Sequence, residues 1–309
     1  MSALDFGPVV LGGNVFGWTA DRDASFAVLD AFVDGGGRAV DTADVYSAWI
    51  PGNSGGESET IVGEWLASRG RRDDVVLMTK VGFARDRPGL AAANVRAAVD
   101  DSLRRLGTDS VDVYFAHTDD QDVPQEESLG AFDELVKAGK VREVGASNFS
   151  AARLRSAAAV AQREGLTPVT VAQDKWSLVE RGIEQDLVPA LEELGIAQTP
   201  YSSLASGFLS GKYAPGQHVD SARAGSAGAY LEDPRAVAAL DAARDVAADQ
   251  DVPVSAVALA WLRAQRTVAA PIASARTVEQ VPGLLAAARV RFTPQQLELL
   301  SAATEPVGG

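Results

Sequence analysis

The feature that most constrains the fold of this chain is a regular alternation of short β-branched segments with longer segments of helical periodicity. About eight such pairs follow one another along the 309 residues. Parallel strands need crossover connections, and eight strand-helix pairs can close into a barrel wrapped by helices. The sequence therefore predicts an α/β fold, a (β/α)8 TIM barrel, as a single domain over residues 1–309.

The expected strands are short, apolar and well separated along the chain. They cover residues 9–13, 39–42, 75–80, 111–117, 141–146, 169–173, 196–201 and 268–273. The clearest helix is predicted over 90–106, where Val95, Val99 and Leu106 fall on one apolar stripe. Two loops rich in small residues, 48–56 and 203–234, follow predicted strands, and ligands are normally met on that face of a barrel.

Helix ends are signalled by local motifs. A Ser/Thr-x-x-Glu/Gln capping pattern begins at Ser54, Thr277 and Thr293 and predicts three helix starts. Glycines are favoured just past helix ends, and Gly107 and Gly195 stand where two predicted helices should stop.

Composition excludes several classes of function. The 28 Lys and Arg against 42 Asp and Glu give a net charge of −14, which opposes extended binding to nucleic acid or an anionic membrane. With no cysteine and two histidines, neither a disulfide framework nor a multi-histidine metal site is expected. The first residues carry no signal-peptide pattern, and no apolar run approaches the roughly 20 residues that span a bilayer. We therefore expect a cytoplasmic protein that binds a small molecule.

Four reactive side chains stand at or just beyond the ends of three successive predicted strands: Asp41 with Tyr46, Lys80 and His117. Strand ends of a barrel converge on one pocket, so these groups should meet there. A phenol with a pKa of about 10 is a weak acid, and a neighbouring ammonium is expected to lower that pKa. Lys80 would supply the ammonium, Asp41 would keep it charged, and His117 would orient a carbonyl.

The chain resembles the aldo-keto reductase superfamily nearly from end to end. The matching segments are Asp41-Thr-Ala-Asp-Val-Tyr46, Thr79-Lys80-Val-Gly82, Val113-Tyr-Phe-Ala-His117, Val144-Gly-Ala-Ser-Asn-Phe149 and Tyr201-Ser-Ser-Leu-Ala-Ser-Gly-Phe-Leu-Ser-Gly-Lys212. The resemblance implies that Asp41, Tyr46, Lys80 and His117 form a catalytic tetrad.

The resemblance also implies a nicotinamide cofactor site. Ser147, Asn148 and Gln173 would bind the carboxamide, and Tyr201 would stack on the nicotinamide ring. The residues implied at the pyrophosphate are Ser202, Leu204, Ser206, Gly207 and Leu209, and those implied at the adenosine phosphate are Ser274, Arg276 and Gln280. An arginine pairs well with a 2′-phosphate, so NADPH (NADP+) is favoured over NADH.

The function expected from these residues is reduction of an aldehyde or ketone with hydride from NADPH and Tyr46 as general acid. Trp18, Trp49 and Phe83 are expected to form apolar walls of the substrate pocket. Two alternatives stay open: an NADPH-binding regulatory or redox-sensing barrel with little turnover, and a Schiff-base aldolase acting through Lys80. The natural substrate, the direction of reaction and the oligomeric state are not specified by the sequence.

Overall fold

The computed structural model describes residues 2–214 and 222–304. The strands are β1 (Val10–Gly12), β2 (Ala39–Asp41), β3 (Val76–Val81), β4 (Val111–Ala116), β5 (Val141–Ser147), β6 (Val169–Gln173), β7 (Ala197–Gln198) and β8 (Ile272–Ala273). The helices are α1 (Arg22–Asp34), α2 (Glu57–Arg69), α3 (Ala92–Leu106), α4 (Gln125–Lys137), α5 (Ala151–Glu164), α6 (Leu187–Leu194), α7 (Ala224–Gly228), α8 (Pro234–Gln250), α9 (Val254–Arg263), α10 (Val281–Leu285) and α11 (Pro294–Ala302).

The described strands form one parallel sheet that curls into a barrel. Their order is β7-β6-β5-β4-β3-β2-β1-β8, with Val10 of β1 opposite Ile272 of β8. The remaining seam is joined at Gln198 of β7, whose backbone N–H donates to the Thr267 carbonyl at 2.7 Å and whose carbonyl accepts from the Ala269 N–H at 2.8 Å. The predicted (β/α)8 barrel is therefore confirmed.

Alternation along the strands separates two layers of core. Val10, Met78 and Phe115 belong to a buried cluster contributed by strands around the barrel, which fills its interior. Their neighbours Leu11 and Leu77 belong to a second cluster shared with the surrounding helices. Successive side chains of a strand point to opposite faces, which gives this division. Because the interior is packed, a ligand must bind at the end of the barrel.

Helix α3 buries the apolar stripe from which it was predicted. Val95, Val99 and Leu106 are fully buried in the core between helices and barrel, and the helix begins two residues later than predicted. Gly107 follows α3 in a left-handed conformation with φ of 64°, and Gly195 follows α6 in the same way, as predicted. In the described part of the chain, no helix has both the length and the apolar character needed to cross a bilayer.

The three capping predictions had different outcomes. Thr293 forms the full capping box with Gln296 at the start of α11. The predicted position of the Ser54 cap is wrong, because α2 begins at Glu57 with Gly56 as its N-cap. Half of the motif still forms, since the Ser54 N–H donates to Glu57 Oε1 at 2.7 Å. Thr277 precedes a short 3-10 turn and makes no side-chain cap bond.

The last two strands are shorter than predicted, because β7 covers only Ala197–Gln198 and β8 only Ile272–Ala273. A proline lies in each overpredicted segment, and proline has no N–H to donate to a ladder. The carbonyls are still used: that of Pro200 accepts from Ile272 N–H at 2.8 Å, and that of Pro271 accepts from Val10 N–H at 2.9 Å.

A glycine at the contact of α2 with α3 gives a test of this packing. A Cβ at Gly63 would lie 2.2 Å from the Arg105 carbonyl oxygen, which is backbone and cannot rotate away. We expect Gly63→Ala to lower the free energy of unfolding by about 1–3 kcal/mol, measured by urea denaturation. Gly130→Ala in α4 is the control, since no atom lies within 4 Å of its Cβ position. That substitution should raise stability by about 0.5–1 kcal/mol, and equal effects of the two changes would contradict the packing described.

Candidate active site

A cavity of about 580 Å³ opens at the carboxyl ends of the strands. Most of the residues predicted for the site line it: Trp18, Asp41, Tyr46, Phe83, His117, Ser147, Asn148, Gln173, Tyr201, Ser202, Leu204, Ser206, Gly207, Ser274, Arg276 and Gln280. Three do not, namely Lys80, Trp49 and Leu209. The strand ends of the barrel thus bring together side chains that lie far apart in the sequence.

Lys80 lies beneath the cavity floor with its ammonium surrounded by oxygen atoms. Its Nζ donates to both carboxylate oxygens of Asp41 and to the carbonyl of Thr42, each at 2.7 Å, and to the hydroxyl of Tyr46 at 3.0 Å. The side chains of Lys80 and Asp41 are 0% and 2% exposed. Buried charges are tolerated when they are paired and hydrogen-bonded in this way.

The Tyr46 hydroxyl joins this ion pair to the cavity. It lies 3.0 Å from Lys80 Nζ and donates to Asp41 Oδ2 at 3.3 Å. Burial raises the pKa of Tyr46 well above its ordinary value, and the Asp41 carboxylate raises it further. At neutral pH the phenol therefore keeps its proton.

The expected lowering of the Tyr46 pKa by Lys80 is wrong in direction. The predicted contact exists, but Asp41 neutralises the ammonium, and burial disfavours phenolate. Burial also lowers the pKa of Lys80 below its ordinary value, while the carboxylate of Asp41 opposes that shift.

The ring of His117 lies 6.0 Å from that of Tyr46 and 4.7 Å from that of Phe83, measured between ring centres. Burial, followed by the charge of Lys80, lowers the pKa of His117 well below its ordinary value. The imidazole is therefore neutral at neutral pH. Among the described residues, none forms a hydrogen bond with its Nδ1 atom.

Gln173 joins the cluster of Lys80, Asp41 and Tyr46. Its side-chain amide donates to Asp41 Oδ1 at 3.0 Å from the end of β6, and the residue is 2% exposed. Asp41 thus accepts from Lys80, Tyr46 and Gln173 together. The resemblance had assigned Gln173 to the cofactor alone, so this contact was missed.

The segments that follow β5 and β7 place two polar side chains, Asn148 and Tyr201, beside the cluster. Asn148 donates from Nδ2 to the His117 carbonyl at 3.0 Å and accepts from the Tyr201 hydroxyl at 2.8 Å. The backbone of Asn148 is left-handed, with φ of 61°, and so are those of Ser202 and Ser206, with φ of 55° and 57°. Such conformations cost on the order of 1–3 kcal/mol each outside glycine and persist where the surroundings impose them.

The loop after β7 lines the cavity only in part. Ser202, Leu204, Ser206 and Gly207 reach it, whereas Leu209 is fully buried and its N–H donates to the Leu204 carbonyl at 3.2 Å. The prediction that Leu209 lines the cofactor site is therefore not supported by its position. Its N–H is used within the loop, in the turn that begins at Leu204.

Two cations that sequence reasoning did not assign also line the cavity. Lys212 ends the motif that begins at Tyr201, so that motif carried a signal for it. Arg223 lies with its guanidinium 5.4 Å from the Trp18 ring centre, and no motif pointed to it.

The far end of the cavity is formed after β8. Arg276 is held there by its backbone N–H, which donates to Gln280 Oε1 at 2.7 Å. This bond takes the place of the cap expected between Gln280 and Thr277. Ser274 donates to Asn14 Oδ1 at 2.6 Å, and Asn14 is a further lining residue that the sequence did not indicate.

Aromatic side chains form the rim near Tyr46. Trp18 and Phe83 line the cavity, and Trp49 stands edge-on to both Trp18 and Tyr46, with ring centres 5.8 Å and 6.1 Å away. Trp49 and Phe83 are 43% and 46% exposed. Exposed large aromatic side chains at a cavity mouth are typical of ligand contact surfaces.

The cavity residues fit a nicotinamide dinucleotide. Hydrogen-bonding groups of Ser147 and Asn148 lie at one end, while three cations, Lys212, Arg223 and Arg276, line the cavity. This cationic lining stands out in a chain with a net charge of −14 and matches the phosphates of a dinucleotide. The volume lies within the range of roughly 300–1,000 Å³ typical of small-molecule sites.

Comparison with known proteins agrees with the fold. The chain matches the model of the aldo/keto reductase family over residues 8–305. It is 33% identical over 300 residues to the uncharacterized oxidoreductase YrpG of Bacillus subtilis, covering 94% of this chain and 90% of that protein. It is 31% identical over 318 residues to norsolorinic acid reductase B of Aspergillus parasiticus, covering 99% and 80%. An aryl-alcohol dehydrogenase of Phanerodontia chrysosporium, named for NADP(+), is 28% identical over 324 residues, covering 96% and 82%.

The chain therefore belongs to the aldo/keto reductase family. It is an oxidoreductase, as the names of its relatives indicate for the family.

The buried ion pair gives a prediction on stability. Lys80→Met removes the ammonium and leaves the Asp41 carboxylate buried without a cation. We expect the free energy of unfolding to fall by about 3–5 kcal/mol at neutral pH, measured by chemical denaturation. Lys140→Met is the matched control, because Lys140 pairs with Asp100 at the surface with 38% and 52% exposure, and it should cost less than about 1 kcal/mol. Similar losses in both variants would contradict the role of Lys80.

Proposed function

We propose that the protein reduces an aldehyde or ketone to the alcohol, with a proton from Tyr46 and hydride from NADPH. The observation that carries the proposal is the Tyr46 hydroxyl, which lies within 3.3 Å of both Lys80 and Asp41 and lines the cavity. Tyr46 donates its proton to the carbonyl oxygen as that oxygen gains negative charge. The oxygen of the resulting phenolate keeps the hydrogen bond from Lys80 Nζ at 3.0 Å, and Asp41 holds that ammonium in place.

The other groups position the reactants. NADPH, when bound, supplies a hydride to the carbonyl carbon and leaves as NADP+. His117 is neutral, so one of its ring nitrogens carries a proton that can donate to the carbonyl oxygen. Ser147, Asn148 and Tyr201 line the cavity beside His117 and would hold the nicotinamide end of the cofactor.

The preference for NADPH is supported by the cations of the cavity. Arg276, fixed through Gln280, presents a planar guanidinium suited to a 2′-phosphate. Ser274, Lys212 and Arg223 lie along the same cavity, where the remaining phosphates would bind. A relative named for NADP(+) adds support.

The aromatic rim favours a planar substrate. Trp18, Trp49 and Phe83 form an aromatic rim next to Tyr46 and His117. Aromatic side chains pack well against an aromatic or conjugated carbonyl compound. The Phanerodontia chrysosporium relative, named as an aryl-alcohol dehydrogenase, is consistent with this substrate class.

The alternative functions gain no comparable support. A Schiff-base reaction needs a free amine at the cavity, whereas Lys80 is 0% exposed and enclosed by oxygen atoms. A regulatory barrel without turnover would need no complete proton-donor cluster, yet the cluster of Asp41, Tyr46 and Lys80 is assembled. NADPH binding without oxidation on a panel of aldehydes, ketones and sugars would favour the regulatory function.

The role of Tyr46 is tested by Tyr46→Phe. Loss of the proton donor should lower kcat for reduction of benzaldehyde by at least about 10²–10⁴-fold while NADPH affinity, measured by intrinsic fluorescence, stays unchanged. The control is Tyr114→Phe, since Tyr114 is also buried but does not line the cavity, and its turnover should equal that of the parent. Wild-type turnover by the Tyr46→Phe protein would contradict the role of Tyr46 as proton donor.

The role of Arg276 is tested by cofactor discrimination. Arg276→Ala should weaken NADPH binding by about 10–100-fold, because a charge-assisted hydrogen bond contributes roughly 1.5–3 kcal/mol. NADH affinity should change little. Arg289→Ala, an exposed arginine outside the cavity lining, serves as the control. If NADPH and NADH affinities fell equally in the Arg276→Ala protein, a 2′-phosphate contact would be excluded.

A further inference from the structure

Asp174 occupies the point where the ends of β5, β6 and β7 meet. It directly follows Gln173, the last residue of β6, and is 5% exposed. Ser147 at the end of β5 stands opposite Gln173 in the sheet, so Asn148 comes next to Asp174. None of the catalytic steps above uses this buried carboxyl group.

The carboxylate and backbone of Asp174 contact both neighbouring segments. Oδ1 accepts from the Asn148 backbone N–H at 2.9 Å, and Oδ2 accepts from the Gln198 side-chain amide at 3.3 Å. The Asp174 carbonyl accepts from the Tyr201 N–H at 3.0 Å. Asn148 and Tyr201 are joined in turn by the hydroxyl bond at 2.8 Å, so the three residues form a closed ring of contacts.

The bond to Asn148 holds a conformation that the backbone does not prefer. Asn148 has a φ of 61°, a left-handed conformation that a non-glycine residue adopts at a cost. A hydrogen bond from an N–H to a carboxylate is roughly twice as strong as one to a neutral oxygen. The charge of Asp174 therefore helps to hold the backbone of Asn148, whose side chain lines the cavity.

The electrostatic surroundings do not neutralise this charge. Lys175, next in sequence, pairs with Glu180 at 2.8 Å. Tyr201 has its pKa raised, by burial first and then by Asp174, so it carries no charge near neutral pH. His117, whose carbonyl binds Asn148, has a pKa well below its ordinary value and is neutral as well.

We propose that Asp174 is a positioning residue that holds Asn148 and Tyr201 in the geometry that binds the nicotinamide, and that its ionisation makes cofactor affinity depend on pH. The proposal rests on the proposed function, since it takes these two residues as cofactor contacts. Burial raises the pKa of Asp174 to about 6, while the bonds from Gln198 and Asn148 lower it. As pH falls through this value, Asp174 becomes neutral and its hold on Asn148 weakens.

Ionisation of the buried Asp174 lowers the free energy of unfolding. A positioning role therefore predicts a different effect of Asp174→Asn on stability than a structural role does. The folded protein binds a proton at Asp174 more tightly than the unfolded chain, whose pKa is about 3.8. The contribution of this group to stability is therefore favourable at low pH and declines as pH rises through about 6. Asp174→Asn should consequently fold at least as stably as the parent at pH 8.

The first experiment observes Asn148 without any cofactor. The chain contains four asparagines, at positions 14, 53, 94 and 148, so protein labelled with ¹⁵N-asparagine gives four backbone amide signals. The Asn148 amide proton should shift with pH with a midpoint near the pKa of Asp174. This titration should vanish in Asp174→Asn, whose spectrum contains a fifth asparagine signal. Asn148→Ser assigns the signal, and Asn94 provides an internal reference.

The second experiment measures the Kd of NADP+ by intrinsic fluorescence at pH 8 and pH 5. Asp174→Asn should bind about tenfold more weakly than the parent at pH 8, and equally at pH 5, where both side chains are neutral. The ratio between variant and parent is the quantity of interest, because the 2′-phosphate itself titrates near pH 6. Asp133→Asn is the matched control, since Asp133 is a buried carboxylate that accepts the Thr167 N–H at 3.0 Å away from the cavity.

The outcomes are distinct. A pH-independent Asn148 signal, or a ratio of one at both pH values in a protein that binds NADP+, overturns the proposal and leaves the proposed function intact. If the parent protein binds no NADP+ at all, the proposed function fails, and the cofactor part of this proposal fails with it. A lower melting temperature for Asp174→Asn than for the parent at pH 8 would show a structural role and would also overturn the proposal.

Discussion

The buried contact between Lys80 and Asp41 is the interaction on which the site depends. Neither charge is stable alone in a place excluded from water, so each requires the other. Together they fix the ends of β2 and β3 and present a polar surface against which the phenol of Tyr46 rests. Gln173 adds a neutral donor from β6 on the opposite side of the barrel. The side chains of Asp41, Lys80, Tyr46 and Gln173 are thus oriented by the need to pair two buried charges.

Much of this arrangement could be predicted because a parallel barrel translates order along the chain into proximity in space. Asp41, Lys80 and His117 stand at or just past predicted strand ends, and strand ends of a barrel share one face. Apolar periodicity was equally reliable in α3, where burial follows the 3.6-residue repeat. The Thr293 capping box could be predicted because it uses only residues close in sequence.

The parts that could not be predicted depend on contacts between distant residues. The pKa of Tyr46 reflects burial and the full set of charges around it, so a single lysine neighbour gave the wrong direction. Leu209 looked like a loop residue facing the cofactor, but the turn in which it lies directs its N–H back to Leu204. Arg223 reaches the cavity from a segment without a recognisable motif. The short β7 and β8 follow from prolines whose effect on strand length the apolar pattern concealed.

The strands at the seam between β7 and β8 are shorter than the strands β3, β4 and β5 on the other side of the barrel. Strands β3, β4 and β5 have six or seven residues, whereas β7 and β8 have two each and meet through Gln198. The longer ladders support Lys80 and His117, and the short ones carry the segments that contain Tyr201 and Arg276. Fluctuations of the backbone should therefore be largest at the seam, so that a molecule could enter the cavity on that side without displacing Tyr46. Amide exchange would then be fast on one side of the barrel and slow on the other.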